Sequence, residues 1–149
     1  MPNVVARKSI NAPIQTVWSL LDDFENIDKF HPGVKKSYLL SHQDTGVGAK
    51  RQCDFHSGAS AQEEIVDYKP EQHSLTVRIP KFGPMKSFIA KESARDLGNG
   101  KTEVTFTADF IVKFGLLGAL FGNLIIKPVM TKKMQEVIDG LESYATKPR

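Results

Sequence analysis

The sequence predicts an α+β fold in which a seven-stranded antiparallel sheet wraps around one long C-terminal helix. Between residues 34 and 113, short extended segments alternate with turn residues such as Gly46, Gly58 and Gly83. This alternation is typical of an antiparallel meander. After Gly115 the apolar residues recur at mostly helical spacing, which indicates a helix with one buried face.

One strand and two short helices are predicted before the meander. Residues 4–10 have β-branched content, and Asn11 and Pro13 suit the first turn of a helix that ends near residue 22. A second short helix over residues 24–30 is stopped by Pro32-Gly33. The long C-terminal helix is expected to bend at Pro128. The seven strands are predicted at 4–10, 34–41, 49–56, 61–68, 74–79, 85–95 and 102–113.

Length and composition indicate one ordinary globular domain, over residues 1–146, with a short tail at 147–149. Hydrophobic residues make up 40% and charged residues 25% of the 149 residues. The 20 basic and 17 acidic residues are scattered along the chain, so the sequence predicts no nucleic-acid partner. The longest apolar run, residues 114–126, is too short for a transmembrane segment, which needs about 20 residues.

The cysteine and histidine content argues against a disulfide and a metal centre. Cys53 is the only cysteine, and no export signal is visible among the first ten residues, so a reducing cytoplasmic location is expected. The four histidines lie far apart and lack companions at ligand spacing. No metal and no cofactor are therefore predicted.

Alternation along the strand at residues 49–56 predicts a polar cluster inside the sheet. Arg51, Cys53 and Phe55 share one face, which we assign to the interior. A buried Arg51 needs a counter-charge, and Glu63 on the next strand is the candidate, with Lys36 joining the pair. Two interpretations stay open: the cluster orients a ligand carbonyl or carboxylate, or it is a structural ion pair.

The predicted architecture leaves space between the curved sheet and the long helix, because both ends of the helix cannot lie equally close to the sheet. Such a space suits a small hydrophobic molecule. The residues expected to line it are Phe55, Ile65, Phe88, Phe110, Leu124, Val137 and Leu141.

Several short motifs distributed along the chain carry a family resemblance: Ile10-Asn11-Ala12-Pro13, Val17-Trp18, Asp23-Phe24, Pro32-Gly33-Val34, Gly46-Val47-Gly48-Ala49 with Arg51, Gly58 and Glu63-Glu64-Ile65. Through them the chain resembles, across nearly its whole length, the polyketide cyclase/dehydrase and lipid-transport group of the START and birch-pollen-allergen superfamily. The resemblance implies a helix-grip fold. More distantly the chain is similar to the plant abscisic acid receptors, where the stretches matching Lys35-Lys36-Ser37, Val47-Gly48 with Arg51, and Gln62-Glu63 supply polar groups to the pocket.

Three functions remain open from the sequence. The first is a carrier that binds an aromatic, lipid-like or polyketide-like molecule, with Lys36, Arg51 and Glu63 at its polar end. The second is an aromatase/cyclase-like enzyme that uses the same cavity. The third is an interaction module that docks a partner or a membrane through residues 114–126, as an entrance, a membrane contact or a dimer contact. For this segment itself we expect plain core packing. The protein is expected to be a monomer or a homodimer.

Overall fold

The computed structural model describes residues 3–148. The helices are α1 (Ile14–Asp22), α2 (Gly115–Phe121) and α3 (Lys127–Ala145), with 3-10 turns at Phe24–Lys29 and Pro70–Gln72 and a π turn at Gly122–Ile126. The strands are β1 (Asn3–Ile10), β2 (Val34–Leu39), β3 (Lys50–Phe55), β4 (Ser60–Lys69), β5 (Ser74–Ile79), β6 (Met85–Gly98) and β7 (Lys101–Val112).

The seven strands form one antiparallel sheet in the order β1-β7-β6-β5-β4-β3-β2. The connections between consecutive strands from β2 to β7 range from the long segment 40–49, between β2 and β3, to the tight turn between β6 and β7. That tight turn needs left-handed backbone at Gly98, Asn99 and Gly100. The chain crosses from one edge strand, β1, to the other, β2, through α1 and the 3-10 turn at Phe24–Lys29. The predicted helix-grip architecture is confirmed.

The core lies between the sheet and the helices that cover one of its faces. Every second residue of β7 from Thr102 to Val112 is buried, which is the period of a strand with one face covered. Ile138 and Leu141 of α3 are fully buried against that face. At the β1 edge the Lys8 ammonium lies 2.8 Å from carboxylate oxygens of both Asp139 and Glu142, and these partners raise the pKa of Lys8 to about 12.

Glycine sets how closely α3 approaches the turn before β2. A β-carbon on Gly140 would overlap the carbonyl oxygen of Phe30. Only a residue without a side chain allows this backbone contact. The contact fixes the position of the turn that carries His31.

The C-terminal helical region differs from the prediction in two respects. Its irregularity is the π turn at Gly122–Ile126, which precedes Pro128 rather than coinciding with it. Proline lacks an N–H and its ring clashes with the carbonyl four residues earlier, and a widened turn accommodates both. Residues 114–126 were also expected in the core, but most of their large side chains are exposed. No helix within residues 3–148 combines the length and the apolarity needed to cross a bilayer.

Candidate ligand-binding site

The predicted ion pair between Arg51 and Glu63 is present on the inner face of the sheet. The antiparallel register of β3 and β4 places the two residues directly opposite each other. The Arg51 Nε–H donates to Glu63 Oε2 at 2.6 Å, and the side chains are only 3% and 12% exposed. Burial strengthens the attraction between the charges because few water molecules screen them.

Arg51 has two further contacts, both to Phe24. Its Nη1 donates to the backbone carbonyl oxygen of Phe24 at 2.8 Å, and its guanidinium carbon lies 3.9 Å from the centre of the Phe24 ring. The second contact has the geometry of a cation–π interaction. Arg51 therefore joins β3, β4 and the 3-10 turn at Phe24–Lys29.

Cys53 extends this polar cluster without becoming a nucleophile. Its thiol donates to the same Glu63 oxygen at 3.3 Å. Burial, followed by the neighbouring negative charge of Glu63, raises the pKa of the Cys53 thiol, and Arg51 only partly opposes this. The thiol stays protonated at neutral pH, so the thiolate chemistry of a catalytic cysteine is disfavoured.

Lys36 does not join the cluster, contrary to the prediction. A β-bulge between Val34 and Lys36 shifts the alternation of β2, so that Lys36 pairs with Asp54 on the outer face and is exposed. The inner position opposite Cys53 is taken by Ser37. A bulge inserts an extra residue, which strict alternation from Val34 does not anticipate.

His31 is a site residue that the sequence did not indicate. Its Nδ1 accepts a hydrogen bond from the Gly33 N–H at 3.0 Å, and its ring meets the Phe55 ring edge-on at a centroid distance of 6.1 Å. Burial lowers the pKa of His31 to about 4, and the positive charges of Arg51 and Lys133 add to this lowering against the influence of Glu63. The ring is thus neutral at pH 7, with its proton on Nε2.

Glu92 is a second site residue that the sequence analysis missed. It pairs with Leu75 on one side and Phe106 on the other, and both are buried, so Glu92 occupies an inner position of β6. Within residues 3–148 its carboxyl group has no hydrogen bond or ion pair to the protein. Burial raises the pKa of Glu92 to about 7; the charge of Glu63 adds to the increase and Arg51 opposes it.

The predicted apolar lining is divided between the interior and the surface. Ile65, Phe88, Phe110, Val137 and Leu141 are buried, and Phe55 is partly buried against the core and the Phe82 ring. The ligand-binding role of these residues stays a prediction.

Leu124 is the exception: it is 65% exposed, and the expectation that it faces the interior is wrong. The small residues Gly118 and Gly122 occupy the buried side of this helical segment instead.

Two depressions stand out on the described part of the chain, and both flank α1. One, of about 500 Å³, is lined by Gln15, Thr16, Ser19, Ala145 and Lys147. The other, of about 270 Å³, is lined by Ser19, Asp22, Asp23, Asp44 and Thr45. Neither is lined by the Arg51–Glu63 cluster. Among residues 3–148, no three His, Cys, Asp or Glu side chains are grouped to hold a metal ion.

Replacing Glu63 with Gln should lower the free energy of unfolding at pH 7 by about 3 kcal/mol, because it leaves the buried Arg51 without its counter-charge. Glu64→Gln is the matched control, since Glu64 lies on the outer face, 3.5 Å from the half-exposed Arg78, where a pair contributes less than about 1 kcal/mol. Urea denaturation measures both. Equal losses of unfolding free energy in the two variants would contradict the conclusion that Glu63 neutralises a buried Arg51.

The same pair predicts a pH dependence. Arg51 holds the pKa of Glu63 below its ordinary value, so the pair stabilises the protein above that value and its contribution is lost as pH falls through the folded-state pKa. The wild-type protein and Glu63→Gln should therefore converge in stability in acid. A stability difference that stays constant down to pH 3 would oppose this account.

Glu92→Gln should stabilise the protein at pH 8 by about 1–3 kcal/mol and have little effect at pH 4. The sign follows from the raised pKa of Glu92. The folded protein holds the proton on Glu92 more tightly than the unfolded chain does, so this group contributes stability below its unfolded-state pKa, and that contribution is lost as pH rises through about 7. Glutamine stays uncharged at every pH and therefore avoids the loss. Urea denaturation across this range provides the test. The matched control is Glu103→Gln on β7, and an equal gain in that variant at pH 8 would contradict an effect specific to Glu92.

The comparisons with known proteins agree with this architecture. A family model described as polyketide cyclase / dehydrase and lipid transport matches residues 1–146. A START superfamily protein from Mycobacterium smegmatis aligns with a TM-score of 0.76 at 18% identity over 96% of each chain. A truncated norcoclaurine synthase from Thalictrum flavum aligns with a TM-score of 0.76 at 14% identity, over 99% of this chain and 95% of that one.

The di-domain ARO/CYC BexL from the BE-7585A biosynthetic pathway has a TM-score of 0.81 at 8% identity, over 99% of this chain and 48% of that one. At such identities the solved structures show a shared fold and nothing finer. The family model covers nearly the whole sequence. The chain therefore belongs to the polyketide cyclase/dehydrase and lipid-transport family.

Proposed function

We propose that this protein binds a small, largely apolar molecule between the sheet and α3, with the Arg51–Glu63 cluster at the polar end of the ligand. The observation that carries the proposal is the placement of charged side chains on the inner face of an otherwise apolar sheet. A buried ion pair often stabilises a fold no better than apolar residues of the same volume would. A role in orienting a ligand accounts for polar groups in this position.

The unused hydrogen-bonding capacity of the cluster supports a ligand with an oxygen-containing end group. Arg51 has five N–H donors, and two of them have partners among the described residues. His31 adds an N–H at Nε2, because its Nδ1 accepts from Gly33. Carbonyl and carboxylate oxygens accept from such donors, so an aromatic or lipid-like compound with one such group is the proposed ligand.

Partial exposure on the inner face supports access from solvent. Phe55, Ala90 and Glu92 occupy inner positions of β3 and β6, yet none of the three is fully buried. Side chains of a filled core pack at crystal-like density and leave little exposed surface. A ligand that covers these residues would gain roughly 25 cal/mol for each Å² of apolar surface removed from water.

We also infer that the binding unit is the single domain 1–146, since the family model spans the same residues. A reducing, cytoplasmic location is the setting we propose for it. This rests on Cys53, the only cysteine, which carries a buried free thiol.

A bound small molecule should appear as a difference between the native and the denatured mass of the purified protein. Ala90→Leu should reduce the bound fraction at least about tenfold, because it adds three carbons to a partly exposed inner position. The conservative Ile89→Leu, on the outer face of the same strand, should leave the bound fraction unchanged. Native mass spectrometry makes the measurement, with thermal unfolding to check that both variants fold.

Two results would oppose the carrier function. One is no bound molecule together with no thermal shift across lipids, quinones and polyphenols. The other is equal occupancy in wild-type protein and a folded Ala90→Leu variant.

Glu92 favours a second candidate function, a cyclase-like enzyme acting in the same space. A carboxyl group with a pKa near 7 and no hydrogen-bond or ion-pair partner among residues 3–148 suits a general acid–base, which exchanges protons most effectively near its own pKa. The di-domain ARO/CYC shares this fold at 8% identity. Abstraction of a proton next to a ligand carbonyl would be the step assigned to Glu92, with Arg51 stabilising the enolate oxygen.

This enzyme function predicts deuterium exchange next to the carbonyl of any carbonyl compound found bound by mass spectrometry. In D2O at pD near 7, the wild-type protein should catalyse the exchange, and Glu92→Gln should slow it about 100-fold or more because a general base is lost. Glu64→Gln should exchange like wild type. If no deuterium exchange is found, or if Glu92→Gln exchanges as fast as the wild-type protein, the enzyme function is excluded and binding is left as the function.

A further inference from the structure

The most exposed apolar side chains of the protein are concentrated on one helical segment. Of the fourteen large apolar residues that are exposed among those described, eight lie between residues 114 and 129. Leu116 is 91% exposed and Phe114 is 80% exposed. We call these eight residues the apolar face: Phe114, Leu116, Leu117, Leu120, Phe121, Leu124, Ile125 and Val129.

The glycines of this segment keep the apolar face turned outward. Gly118 and Gly122 are its buried residues, and a β-carbon on Gly118 would overlap the backbone carbonyl oxygen of Lys113 at the end of β7. Rotating the helix to bury the leucines would drive a side chain into that backbone. The usual distribution of an amphipathic helix, large apolar residues inside and small or polar residues outside, is therefore reversed.

The backbone of Phe114, at the start of the segment, is a second and independent observation that points to a function for the exposed side chains. Its backbone is left-handed, with φ of 79°, and Gly115 follows with φ of 61°. The left-handed region is unfavourable for an aromatic residue and is retained mostly where function requires it. Here it turns the chain from β7 into α2 and leaves the Phe114 ring in solvent.

The charged residues that lie within and next to the apolar segment in the sequence are all positive. Residues 110–135 contain four lysines and no aspartate or glutamate. Lys113 precedes the helix, Lys127 follows the π turn, and Lys132 and Lys133 lie on α3, where Lys133 also approaches Glu136 at 3.8 Å. Lysines beside an apolar helical face suit the headgroup region of an anionic membrane, with roughly 1 kcal/mol for each lysine near the surface.

We propose that the apolar face docks onto an anionic lipid surface, with the helix lying in the interface. The segment is too short to cross a bilayer, and in the interface its leucines and phenylalanines enter the acyl boundary while the lysines contact the headgroups. A second copy of the chain fits this face less well. A two-fold dimer would bring the same patch, with its four lysines, against itself and would create like-charge contacts. The docking surface is separate from the proposed interior site and does not depend on it.

Vesicle flotation of the full-length protein tests the proposal. The wild-type protein should float with phosphatidylcholine vesicles that contain 30% phosphatidylglycerol, bind pure phosphatidylcholine more weakly, and lose binding as salt rises. Leu116→Ser combined with Leu117→Ser should weaken binding to both vesicles by about tenfold or more. Lys127→Glu combined with Lys132→Glu should weaken binding to the anionic vesicles only.

Two variants separate docking from folding. Phe114→Gly removes the strained aromatic residue, so its thermal midpoint should stay equal to or above that of wild type while vesicle binding falls. Val47→Ser combined with Leu97→Ser removes exposed apolar residues elsewhere and should bind like wild type.

Failure of the wild-type protein to float would overturn the proposal. So would a dimer, detected by analytical ultracentrifugation, that the leucine substitutions dissociate while flotation is unchanged. Equal loss of binding in the Val47/Leu97 control would likewise show that the apolar face has no special role.

Discussion

A guanidinium group inside an apolar sheet face must be neutralised where it lies, and Arg51 meets that requirement through partners on two other elements. Glu63 supplies the charge from β4, and Phe24 supplies a carbonyl oxygen and a ring face from the 3-10 turn. The crossing of the chain from β1 to β2 is thereby held against the sheet. The position of this turn also determines where His31 meets the interior.

Most of the fold could be predicted because alternation and helical spacing are local properties of the sequence. All seven strands follow from extended segments that alternate with turn residues, and the order of the helices follows from apolar spacing and helix-ending residues. The Arg51–Glu63 pair follows from which residues of a strand share a face. Lys36 was misplaced because a single extra residue in β2 reverses the face of everything beyond it. Bulges arise from the pairing of two strands and leave little trace in one of them.

Glu92 and Leu124 show a second limit on predicting from the sequence which side chains face the interior. Phe88 and Glu92 lie four residues apart on the inner face of β6, so alternation from Phe88 indicates an inner carboxyl group at Glu92. Charged residues usually face solvent, which makes this signal easy to overlook. Leu124 lies in a run with apolar residues all around the helix, so spacing alone could not choose the buried side. Glycines at 118 and 122 made that choice by allowing close backbone contact.

The two glycine contacts also determine where the long helical region can move. Gly118 lies against the end of β7 and Gly140 against the Phe30 carbonyl, and neither contact can be lengthened without losing backbone packing. These anchors are 22 residues apart, or about 33 Å along a helix. Any movement of α3 away from the sheet would therefore require bending of the stretch between the two contacts, which contains the π turn and Pro128. Backbone packing thus holds the helical region near both of its ends, and its irregular π turn lies close to the end beside β7. Bending of the region is therefore expected to start at that end.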